Sequence, residues 1–273
     1  MMNRYIPPLF WGFIFLGYAL PVVYAEPPAK IPAGTDMAFS QDQSSASVKI
    51  GFSTLSFLDR DGWVVAYNSK GSKVVDKKLT ALDKNHPLRV FLSPDDDASA
   101  VLLLETLLNT SDKSPSYLLF DPSECCPEFH FYTTSGSLKH LGGLEGTALS
   151  VPGNGSVFVA TRLNSTYTHR RKYRVSATGL AEVRQPYYSV GFKTKVLKPV
   201  TLYSAQDGKE EVARLPEGAD IEVVLFDPAK PMDSLNYLVK TPFGLLGWIA
   251  IPTIGPQSDP STLTIEGMNH WGE

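Results

Sequence analysis

The sequence "NYLVKTPFGLLGWIAI" runs from Asn236 to Ile251. Apolar runs of strand length lie on both sides of Phe243-Gly244, which is the pattern of two strands joined by a turn. Gly244 can take the positive φ that such a turn requires, and Gly247 lets a neighbouring backbone approach closely. The stretch therefore predicts a β-hairpin.

Three further strand-like runs precede this hairpin and complete a block that covers residues 195–252. They are Val196–Tyr203, Glu210–Leu215 and Ile221–Phe226, with turn sequences at Ala205–Gly208 and Pro216–Asp220. Alternation of apolar and other side chains in the third run is typical of a strand with one buried face. Five short strands in this order predict a small barrel.

At these residues the block resembles the bacterial SH3 (SH3b) domains. The matching features are Leu202-Tyr203, Leu215-x-x-Gly218, the alternating Ile221, Val223 and Leu225, and the closing Gly244-x-x-Gly247-Trp248-Ile249. The family's common Asn-x-Arg-x-Gly-Pro stretch is replaced by Tyr203–Gly208. The resemblance implies an SH3-like barrel that binds cell-wall peptide or a partner without catalysis.

Four aromatic residues of this block are the candidate binding residues: Tyr203, Tyr237, Phe243 and Trp248. Aromatic side chains carry a large contact surface, and Tyr and Trp add a polar group at one end, which makes both residue types common at interfaces. The alternative is that these residues form the core of the barrel, because large apolar side chains are mostly buried.

Residues 47–190 are predicted to form a β-rich domain, so that the whole chain belongs to the all-β class. Short apolar runs recur along this region with turn residues between them, and Val157, Val159 and Thr161 alternate with more exposed positions. Asn154-Gly155 is a strong hairpin signal. "DASAVLLLETLLNTS" at 97–111 could be helical, but its neighbours favour a strand. The domain is predicted to be a propeller or a meander of hairpins.

The two cysteines of the chain, Cys125 and Cys126, are adjacent in "DPSECCPEFHFY". Four interpretations compete: a vicinal disulfide, unbridged or partner-linked thiols, a metal site with His130, and redox chemistry. Adjacent residues of a strand point to opposite faces, which disfavours metal chelation, and redox enzymes favour Cys-x-x-Cys. The stretch also resembles a Cys-Cys segment in exported bacterial β-propeller-like proteins of unknown function. The pair is therefore the disulfide candidate.

The first 25 residues have the pattern of a secretory signal peptide. Arg4 precedes an uncharged apolar segment, and Val23-Tyr24-Ala25 has small residues where signal peptidase requires them. Residues 26–46 are predicted to be a flexible lead-in, and residues 253–273 a loose tail. The mature protein is thus expected to be periplasmic or secreted, with no membrane span after cleavage and in a compartment that permits disulfides.

Charge and motif content exclude several functions and leave binding as the expected one. The chain has 25 basic and 28 acidic residues, which provide no positive field for nucleic acid. Its one basic cluster, His169–Arg174, is predicted to be a solvated strand edge. Because Gly-x-Ser-x-Gly and His-Glu-x-x-His motifs are absent, we predict no catalytic residues, metal or cofactor.

The sequence therefore predicts an exported, non-catalytic envelope protein that binds a cell-wall peptide or glycan, or an envelope protein. Two alternatives remain open at this point. One is an envelope-directed hydrolase that uses the SH3b-like block for targeting, and the other is a secreted inhibitor or immunity-type protein.

Overall fold

Segments in which every second side chain is buried form strands, and Ser156–Thr161 is an example. In the computed structural model, Val157, Val159 and Thr161 are buried, while the residues between them are partly exposed. The structure describes residues 48–50, 53–60, 62–92, 99–122, 127–161, 163, 166–229, 234–252 and 263–268. These residues are mostly strands, which confirms the all-β class.

The strands are β1 (Val48–Ile50), β2 (Ser53–Arg60), β3 (Trp63–Tyr67), β4 (Ser72–Lys78), β5 (Val101–Thr106), β6 (Ser116–Asp121), β7 (Glu128–Thr133), β8 (Lys139–Glu145), β9 (Ala148–Val151), β10 (Ser156–Thr161), β11 (His169–Ser176), β12 (Gly179–Glu182), β13 (Tyr188–Lys195), β14 (Val200–Tyr203), β15 (Glu211–Leu215), β16 (Asp220–Asp227), β17 (Ser234–Lys240) and β18 (Leu246–Pro252). A 3₁₀ turn at Leu79–Ala81 and a short helix, α1 (Pro87–Phe91), lie between β4 and β5. The segment that could have been helical is strand β5, as predicted.

Two sheets contain these strands. The smaller is a five-stranded antiparallel meander in the order β4-β5-β6-β7-β8. The larger runs in the order β1-β2-β3-β9-β10-β11-β13-β16-β17-β18-β14-β15, and β12 pairs with β11. The basic cluster lies in β11, which pairs with β10, β12 and β13. The prediction that this cluster forms a strand edge was therefore wrong, because partners occupy both sides of β11.

The meander packs one face against the larger sheet, and this contact forms the first core. Phe120, Phe129 and Phe131 of the meander cluster with Val157 and Val159 of β10. Each of these five side chains is at most 2% exposed. A meander of hairpins was predicted as one arrangement of residues 47–190, and β4–β8 have it, as one of two packed layers. The other strands of that region lie in the larger sheet, where β3 and β9 pair in parallel.

The opposite face of the meander is also buried, because the segment between β4 and β5 covers it. Leu79 and Leu88 from this segment cluster with Leu102, Leu119 and Tyr132 of the meander. Helix α1 begins beside His86, whose Nδ1 accepts a hydrogen bond from the Leu88 amide at 3.3 Å, and Pro87 occupies its first position. The meander thus forms a middle layer along β5 to β7, while most of β4 and the start of β8 remain exposed.

The five strands predicted in residues 195–252 are present, in the pairing order β16-β17-β18-β14-β15. The hairpin between β17 and β18 turns at Gly244, whose φ is +96°. A Cβ atom at Gly247 would lie 2.6 Å from the Leu202 Cβ atom, so that only glycine lets β14 lie this close to β18. Both glycine roles predicted from the sequence are confirmed.

The expected closure of this block into a barrel was wrong for the described residues. In a closed barrel of these five strands, β15 would pair with β16. The side of β16 that would face β15 in such a barrel pairs instead with β13. This pairing extends from the Tyr188–Phe226 pair to the Lys195–Asp220 pair. The block is therefore continuous with the preceding strands of the sheet, and β13 crosses the predicted boundary between residues 190 and 195.

The tail beyond Pro252 was predicted to be loose, and for residues 263–268 that prediction was wrong. Ile265 forms a bridge with Val196 and is fully buried, and Met268 is 7% exposed. Both side chains belong to the core of the C-terminal strands. Removal of these apolar side chains from water stabilises the packing of the segment against the sheet.

Some predicted features lie outside the described residues: the signal peptide, the lead-in, and the pair Cys125 and Cys126. Among the helices of the described part, none has the length and apolar character needed to cross a membrane.

Candidate functional site

Of the four candidate binding residues, Tyr237 lies in the core and has no exposed surface. Its ring contacts Tyr167 and Phe226, with centroids 5.3 Å away in both cases. Tyr237 shares the inward face of β17 with Val239, which is also fully buried. Tyr237 therefore stabilises the fold and is not available to a ligand, which corrects its assignment.

Phe243 lies at the tip of the β17–β18 hairpin and is 89% exposed. The turn that presents it is held by two hydrogen bonds: the Gly244 amide donates to the Thr241 carbonyl, and the Thr241 amide donates to the Leu245 carbonyl, both at 2.9 Å. An isolated phenylalanine at a tip is reached by solvent on nearly all sides. It can contact a ligand but does not form a concave surface by itself.

Tyr203 and Trp248 lie side by side on the outward face of the sheet. They are direct partners in the antiparallel pairing of β14 and β18, and both are partly exposed. Tyr187 joins them, with its ring centroid 5.5 Å from that of Trp248. We call Tyr187, Tyr203 and Trp248 the aromatic patch.

The sheet register explains why the aromatic patch faces outward. In β18, Ile249 and Ile251 are buried in the core, so Trp248, which directly precedes Ile249, projects from the opposite face. Trp248 is paired with Leu238 of β17, and Leu238 is paired with Leu225 of β16. The patch is thus the end of an apolar row that crosses four strands and is only partly covered.

Tyr187 was not among the residues that sequence reasoning selected. It precedes β13 in Pro186-Tyr187-Tyr188, where Tyr188 is 5% exposed and Tyr187 is 39% exposed. Two adjacent tyrosines at the start of a strand point to opposite faces, so that one of them must face outward. That signal was present, but the sequence did not show that this outward tyrosine would meet Trp248.

A groove of about 560 Å³ opens at the end of β13, β16 and β17 that lies nearest the hairpin turn. Its lining carries both signs of charge, including Lys193, Lys195, Asp220, Glu222 and Lys240. Lys193 and Lys240 flank Glu222 across the strands, and Lys195 Nζ lies 4.0 Å from an oxygen of Asp220. A groove of this kind suits a ligand that carries both positive and negative groups.

The groove and the aromatic patch are adjacent on the same sheet. Lys240 lies two residues from Leu238 along β17, and Leu238 pairs with Trp248. Residues two apart in a strand share a face. A ligand that lies along this face could therefore contact aromatic surface at one end and charged groups at the other.

Titratable groups also meet on the meander, where His130 of β7 lies beside His140 of β8. Burial, followed by the charge of His130, lowers the pKa of His140. Across the described ranges, no group of three or more His, Cys, Asp and Glu side chains is arranged to enclose a metal ion.

Comparison with family models, with curated proteins and with solved structures found no match to this chain.

Proposed function

We propose that the protein is an exported, non-catalytic envelope protein that binds a cell-wall component, a peptide or a protein partner through the aromatic patch. The observation that carries this proposal is the meeting of Tyr187, Tyr203 and Trp248 on the outward face of the sheet. Tyr203 and Trp248 are also residues that match the SH3b pattern in the sequence.

The chemistry of the patch favours binding. Tyrosine and tryptophan rings offer broad apolar faces, and they lose little conformational entropy on binding because each has only two side-chain torsions. Such residues dominate the free energy of many interfaces. Nearby, Leu246 is 50% exposed and extends the apolar surface. The patch therefore offers more contact surface than scattered single side chains would.

The neighbouring groove favours a ligand that combines apolar and charged groups. Cell-wall peptides carry amines and carboxylates together with apolar side chains, and they are attached to sugar rings with apolar faces. Lys193 and Lys240 could pair with carboxylates, while Asp220 and Glu222 could pair with amines. The exported location of this proposal rests on the signal-peptide pattern of residues 1–25.

Sedimentation with purified peptidoglycan tests the proposal. The chain from Glu26 onward should be retained by the insoluble polymer, and Trp248→Ala should lower the affinity by about tenfold or more, as truncation of a central aromatic contact usually does. Phe91→Ala is the matched control, because Phe91 is 50% exposed but lies on α1 beside Tyr132. It should bind as the unaltered protein does.

Circular dichroism of each variant should show the β spectrum of the unaltered protein. A loss of binding can then be attributed to the missing side chain, because the fold is intact. A parallel capture with envelope extract covers a protein partner. The proposal is wrong if neither peptidoglycan nor envelope extract retains the protein, or if Trp248→Ala binds as well as Phe91→Ala. Release of soluble fragments from the polymer would instead indicate a hydrolase.

A further inference from the structure

Two histidines face each other at the edge of the meander, far along the chain from the aromatic patch. His130 lies on β7 and His140 on β8, and the Nδ1 atom of His130 is 3.3 Å from the Nε2 atom of His140. Their ring centroids are 5.3 Å apart. His140 is exposed, and the His130 side chain retains 24% of its accessible surface.

This separation is the one that two ligands of a single tetrahedral ion require. A zinc–imidazole bond is about 2.0–2.1 Å, and two such bonds at a tetrahedral angle place their nitrogens roughly 3.3–3.4 Å apart. Without a metal, one ring nitrogen can donate its proton to the other. An ion bound to both nitrogens would take the place of that shared proton, at a point beside the line that joins them.

The far side of the His130 imidazole has a partner that would hold the ring in the orientation needed for a ligand. The Oε2 atom of Glu128 lies 3.6 Å from the Nε2 atom of His130. Metal-binding histidines commonly donate their second ring N–H to a carboxylate or a backbone carbonyl, which fixes the tautomer.

Because Gly143 has no side chain, Glu128 and His130 can occupy the space above it. It is paired with His130 across the strands. A Cβ atom at this position would lie 1.8 Å from the Oε1 atom of Glu128 and 2.9 Å from the Nδ1 atom of His130. Any side chain at Gly143 would therefore displace the carboxylate or the ring.

We propose that His130 and His140 form an open binding site for a divalent transition-metal ion, with Glu128 as the residue that positions His130. Imidazole nitrogen suits Zn²⁺, Cu²⁺ and Ni²⁺, and disfavours Mg²⁺ and Ca²⁺. Because no third metal-ligating side chain of the described residues joins this pair into an enclosing group, water or a group from another molecule fills the remaining positions. The ion is thus accessible to an external ligand.

Calorimetric titration of the untagged chain from Glu26 with Zn²⁺ tests this site. One ion should bind per chain, and His130→Gln and His140→Gln should each lower the affinity by more than about tenfold, since even residues that only orient a ligand contribute that much. His86→Asn is the matched control, because asparagine can still cap α1. Its affinity should be unchanged.

Nitrogen-15 spectra of the imidazoles give a second measurement that a loss of fold would not imitate. Zn²⁺ should shift Nδ1 of His130 and Nε2 of His140, and leave His86 unshifted. Glu128→Gln should weaken binding by about 10- to 100-fold and change the tautomer of His130. Cys125→Ser/Cys126→Ser should bind as before. The proposal is overturned if Zn²⁺, Cu²⁺ and Ni²⁺ all fail to bind, or if binding needs the cysteines and not the histidines.

Discussion

His169, the first residue of the basic cluster, lies in the interior of the protein. It is fully buried, with the rings of Tyr188 and Phe226 at 5.3 and 5.2 Å. Its Nδ1–H donates to the Tyr167 carbonyl at 3.0 Å, and its Nε2 accepts from Arg171 Nε–H at 3.1 Å. Both ring nitrogens are therefore satisfied only while the imidazole is neutral.

Burial lowers the pKa of His169 to about 4, and the nearby Arg171 charge acts in the same direction. In the unfolded chain the pKa returns to its ordinary value near 6.5, so the unfolded state binds more protons between these values. The contribution of His169 to stability is present above pH 6.5 and is lost as the pH falls toward 4. We expect a loss of roughly 2 kcal/mol in the free energy of unfolding between pH 7.5 and pH 5.

Urea unfolding of the unaltered protein and of His169→Gln at both pH values measures this difference. Glutamine can donate and accept hydrogen bonds but does not titrate, so the variant should be less stable at pH 7.5 and lose less stability on acidification. Equal losses in the two proteins would show that the pH dependence arises elsewhere.

At the level of strands, local patterns could be predicted and long-range pairings could not. The alternation of β10 and the turn at Gly244 each depend on a few neighbouring residues. The pairing of β13 with β16 joins segments about thirty residues apart. The sequence pattern of neither strand shows which other strand it will pair with. For the same reason Tyr203 and Trp248 could be selected as aromatic residues, while the contact with Tyr187 could not.

The short C-terminal segment around Ile265 is a test of how much one packed side chain contributes. Ile265 is fully buried in the core that also contains Val196 and Ile249. Ile265→Ala should lower the free energy of unfolding by about 2–5 kcal/mol, because it removes buried surface and leaves a cavity. Chemical denaturation measures this loss.

Glu266→Gln is the control for that variant, because its side chain is exposed while its backbone bond to Lys195 remains. It should change stability by no more than about 0.5 kcal/mol. If Ile265→Ala were as stable as Glu266→Gln, the segment would not be packed in solution as described.

At the scale of the whole molecule, the C-terminal strands share their core with residues that precede them. Tyr167 is 1% exposed, packs edge-on against Tyr237 and donates from its hydroxyl to the Glu266 carbonyl at 3.0 Å. Tyr188 and Val190 of β13 belong to the same core. The aromatic patch likewise takes Tyr187 from outside residues 195–252. The aromatic patch is thus assembled from two parts of the chain that the sequence suggested were separate.

This sharing predicts that residues 195–273 expressed alone will not reach the stability they have in the full chain. The fragment exposes the surfaces of Ile221, Val223 and Phe226 that β13 and Tyr167 cover. In the full chain, Tyr167→Ala should lower the free energy of unfolding by about 3–5 kcal/mol, and Tyr167→Phe by only about 0.5–1.5 kcal/mol, because phenylalanine keeps the packing and loses one hydrogen bond. Heat denaturation measures the stability of the fragment and of the two variants. The spread of amide proton chemical shifts in NMR spectra shows whether the fragment is folded. A fragment with dispersed spectra and the melting temperature of the full chain would instead show that the C-terminal strands form an independent domain, and Tyr187 would then be dispensable for the fold that presents Tyr203 and Trp248.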